Sequence, residues 1–79
     1  METVAHETAV NTVARNIRHA LDEDNVEVAR TLVGVLIGLA LSVDPESLRG
    51  LMQHAEVAAE ATDRELLAEV FTRVLGYFN

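Results

Sequence analysis

Thirteen consecutive residues of this 79-residue chain, 31–43, carry no charge: TLVGVLIGLALSV. No other feature restricts the fold as much. The run belongs to a second helix over 26–43 that is apolar on every side, the pattern of a helix covered all round rather than along one stripe. It falls short of the ~20 apolar residues needed to span a bilayer. At this length, with no hairpin turn inside it, the segment is also too long for an ordinary strand. Relief from the apolar surround is confined to Glu27, Thr31, Gly34, Gly38 and Ser42, which recur every three or four residues and so share one narrow stripe. A glycine inside a helix costs about 1 kcal/mol against alanine. Two of them, four residues apart, point to the close approach of a second backbone.

Three further helices are legible, over about 3–21, 45–60 and 63–78. The first has Val10, Val13, Ala14, Ile17, Ala20 and Leu21 at helical spacing, with Asn11, Arg15, Arg18 and Asp22 opposite. The cluster Asp22-Glu23-Asp24-Asn25 breaks this pattern, and Asp24 or Asn25 is placed to cap the second helix. Asp44 and Pro45 suit the N-cap and first residue of the third helix, whose inner stripe is read as Leu48, Leu51, Met52, Ala55 and Ala59. Thr62 and Glu65 have capping-box spacing at the start of the fourth. Its inner face is read as Leu66, Leu67, Val70, Phe71, Val74, Leu75 and Phe78. Every aromatic residue lies in this last helix, which marks it as the packing anchor. The expectation is a single all-α domain over 1–79, a compact bundle of about four helices around the apolar second one.

The charge balance narrows the function. Thirteen acidic residues face six basic ones, all arginine, for a net charge of -7. That balance disfavours non-specific binding to nucleic acid or an anionic membrane. The N-terminal residues are mixed and acidic, unlike a signal peptide, and there is no cysteine. A cytoplasmic setting is expected.

The candidate chemistry is sparse. His6, His19 and His54 form no HxxxH or HxxH pair, and are read as surface residues with Glu2–His6 and His19–Glu23 as i,i+4 neighbours. The acidic cluster fails the calcium-loop pattern, with Glu27 where the glycine should stand and Val33 where the closing glutamate should. The only serines, Ser42 and Ser47, flank a helix start, and no glycine-rich phosphate loop exists. No catalysis, metal, cofactor or small-molecule ligand is expected.

The segment 37–51, IGLALSVDPESLRGL, resembles a helix-turn-helix unit. Gly38 takes the small position of the first helix, Leu41 the core leucine, and Val43 and Leu48 the core around the turn. The resemblance implies a small DNA-binding regulator with Ser47, Arg49, Gly50, Gln53 and His54 facing a major groove, Arg49 suited to guanine and Gln53 to adenine. The sequence departs from the pattern at three points. Ser42 replaces the usual turn glycine, Val35, Leu36 and Leu39 are apolar where such a unit is wet, and Arg49 is the sole basic residue between Arg30 and Arg64. Phosphate contacts normally supply much of the affinity for DNA.

Three short helices can hardly surround one of eighteen residues, and branched side chains left in water would forfeit several kcal/mol at ~25 cal/mol per Å². The favoured expectation is therefore a non-catalytic interaction module that homodimerises, or docks another protein, through Thr31, Gly34, Val35, Gly38, Leu39 and Ser42 of the second helix. A DNA-binding regulator is the alternative, and an acidic decoy for a nucleic-acid-binding protein the second alternative.

Overall fold

A computed structural model describes residues 2–78, with side-chain surroundings from Glu7 onward. The Glu2–His6 neighbourhood lies outside the described side chains. The elements are α1 (Glu2–Asp22), α2 (Val26–Val43), α3 (Leu48–Glu60) and α4 (Arg64–Leu75), with 3₁₀ turns at Pro45–Ser47 and Gly76–Phe78. The all-α architecture and four-helix order are those expected.

Each boundary has a local cause. Asp24 takes a left-handed conformation, φ 58°. The Asn25 N–H then donates to the Ala20 carbonyl at 2.7 Å and the Asp24 N–H to that of Leu21 at 3.0 Å, a Schellman closure of α1. Asn25 alone caps α2, its side chain accepting from the Val28 N–H at 3.3 Å. The third helix starts later than position 45. Asp44 caps no backbone N–H; its carboxylate instead accepts the Ser47 hydroxyl at 2.6 Å, and the chain makes a 3₁₀ turn before the α-helix begins at Leu48. At α4 the cap is Asp63 rather than Thr62, with its carboxylate accepting the Glu65 N–H at 2.9 Å.

The bundle is built around α2, as expected. α2, not the aromatic-bearing α4, is the element against which each of the other three helices packs. It buries Ala29, Val33, Leu36, Ile37 and Ala40 against Ile17 of α1, Leu51 of α3, and Leu67 and Val74 of α4 in one core. As a whole α2 is long and apolar enough to cross a membrane by length and composition alone, although the uncharged run within it is not; 28% of it is buried among the other helices.

The stripe of α3 is rotated from its sequence reading, while the inner face of α4 holds apart from Leu66. Leu48 is 53% exposed and Met52 48%, Ala59 is exposed, and Leu66 also faces outward. The cause is the C-terminal turn. Tyr77 lies against α3 with its hydroxyl 2.5 Å from where a Cβ on Gly50 would stand. Its ring meets His54 edge-on, with centroids 6.1 Å apart at 72°. The side of α3 bearing Gly50, Leu51, His54 and Ala58 therefore faces inward, and Leu48 and Met52 turn out.

Candidate interaction surface

The molecule measures 35 × 25 × 16 Å. With helix axes about 9 Å apart and Cα radii near 2.3 Å, two layers of helices are about 14 Å thick and three about 23 Å. The 16 Å dimension is that of two layers, so α2 has helices beneath and beside it and none above. Its upper side carries Glu27, Thr31, Gly34, Val35, Gly38 and Ser42, all exposed, with Leu39 half-buried at the margin. The structure thus brings the six residues of the sequence-derived interface onto one strip.

That strip is flat and asks little of water. Nothing lies within 4 Å of a Cβ built on Gly34 or Gly38. Among the described residues, no other part of the fold fills the space a side chain would take at either glycine. The Thr31 hydroxyl donates to the Glu27 carbonyl at 3.2 Å and the Ser42 hydroxyl to the Leu39 carbonyl at 3.0 Å. Val35 is 48% exposed beside them. A shallow groove lined by Arg30, Thr31, Gly34 and Ile37 of α2 and Ala55, Ala58 and Ala59 of α3 continues the surface. Leu48 and Met52 share the outer stripe of α3 with Ala55 and Ala59 by helical spacing. These α3 residues were missed in the sequence, where their spacing reads as an inner face. Gly50, facing the only tyrosine, was the signal that the helix is turned.

Comparison with protein-family models, curated proteins and solved structures finds no match to the chain.

The residues assigned by the helix-turn-helix resemblance are less well gathered. Arg49 and Gln53 are exposed. Ser47 is half-buried on Asp44, and His54 is half-buried against Tyr77 rather than open to a groove. The core that such a unit needs around its turn does not form. Val43 is 48% exposed and Leu48 is out, Gly38 faces open space, and Leu41 is half-buried.

Several charged surface residues find partners within the fold. In the α1–α4 groove Arg18 stacks 5.4 Å from the Phe71 ring centroid, and Arg64 Nη1 donates to the Leu21 carbonyl at 3.3 Å. Asp22 lines the same groove and offsets their charge. Two exposed i,i+4 pairs, His19–Glu23 at 3.2 Å and Arg73–Glu69 at 3.4 Å, decorate α1 and α4. Among the described residues no three of His, Asp and Glu converge as metal ligands.

Proposed function

We propose that this chain is a small, non-catalytic protein–protein interaction module that docks through the upper side of α2. The supporting observation is the open space above Gly34 and Gly38. Each glycine costs the helix about 1 kcal/mol against alanine, and among the described residues neither provides room for another part of the fold. A partner backbone crossing there would use that room. The exposed Val35, with Thr31 and Ser42 already bonded to their own helix, suits a dry contact rather than a hydrated one.

The double variant Gly34→Leu, Gly38→Leu tests the reading. Its new side chains point into open space, so the far-ultraviolet circular dichroism of the folded bundle is retained. Assembly with a second copy or another protein is lost. A variant that assembles as the parent does would contradict docking at this strip.

A further inference from the structure

We draw no further inference here: the strongest candidate, the apolar surface patch that joins the Gly34–Gly38 strip of α2 to the outward stripe of α3 carrying Leu48 and Met52, belongs to the docking face already described, and nothing in the structure shows what covers it.

Discussion

At the scale of single residues, this fold is governed by where short polar side chains spend their hydrogen bonds. Thr62 and Asp63 are adjacent, and both have N-cap chemistry. The capping-box spacing favours threonine, yet the Asp63 carboxylate accepts the Glu65 N–H at 2.9 Å while α4 begins at Arg64. Removing that acceptor exposes helix N–H groups that nothing else satisfies. Asp63→Ala should therefore lower stability by about 1 kcal/mol, and Thr62→Ala by much less. Urea midpoints of the two variants check this, and the reverse order would restore the sequence-derived boundary. Asp44 shows the same competition with the opposite result. Its carboxylate holds the Ser47 hydroxyl, and the third helix begins three residues late. Choices of this kind turn on one rotamer and are invisible to periodicity.

At the scale of elements, glycine separates what each helix does for its own fold from what it offers outside. Gly34 and Gly38 have open space where a side chain would go, whereas Gly50 leaves room for the Tyr77 hydroxyl. At concentrations low enough to keep the chain monomeric, Gly34→Ala and Gly38→Ala should each stabilise it by roughly 0.5–1 kcal/mol, the ordinary propensity gain. Gly50→Ala should gain less or nothing, because the new methyl displaces Tyr77. Denaturant titration of the three variants measures the contrast. Destabilisation by alanine at 34 or 38 would mean that the chain itself needs those sites open.

The same residues show what sequence reading could reach. The extent of α2, its apolar surround and the strip from Thr31 to Ser42 follow from spacing alone, because a helix of known phase fixes which residues share a side. The orientation of α3 does not follow. Leu48, Met52, Ala55 and Ala59 make as good an inner stripe on paper as Leu51 and Ala58 do. The choice is settled by Tyr77, twenty-seven positions after Gly50 and folded back on it by a terminal 3₁₀ turn. The expected anchoring role of α4 fails for a related reason. Aromatic content measures how much one helix can bury. Only an element apolar on several sides can serve three neighbours at once, and that element is α2.

At the scale of the whole molecule, thickness decides the question that composition raised. A helix apolar all round wants neighbours on every side, and a 16 Å bundle supplies them on one side and both flanks only. The uncovered remainder joins the outward stripe of α3 that carries Leu48 and Met52. On the proposed reading a partner covers this surface, either a second copy of the chain or another protein. A dilution series of amide nitrogen–proton correlation spectra tests it most directly, since glycine amides resolve well and report their own surroundings. From about 20 µM to 1 mM, shifts should concentrate at Thr31, Gly34, Val35, Gly38, Ser42, Leu48 and Met52. Asn11, Arg15 and Arg18, on the outer side of α1, should stay still. Spectra that do not change over that range would contradict self-pairing, and changes centred on α1 instead would contradict docking through α2.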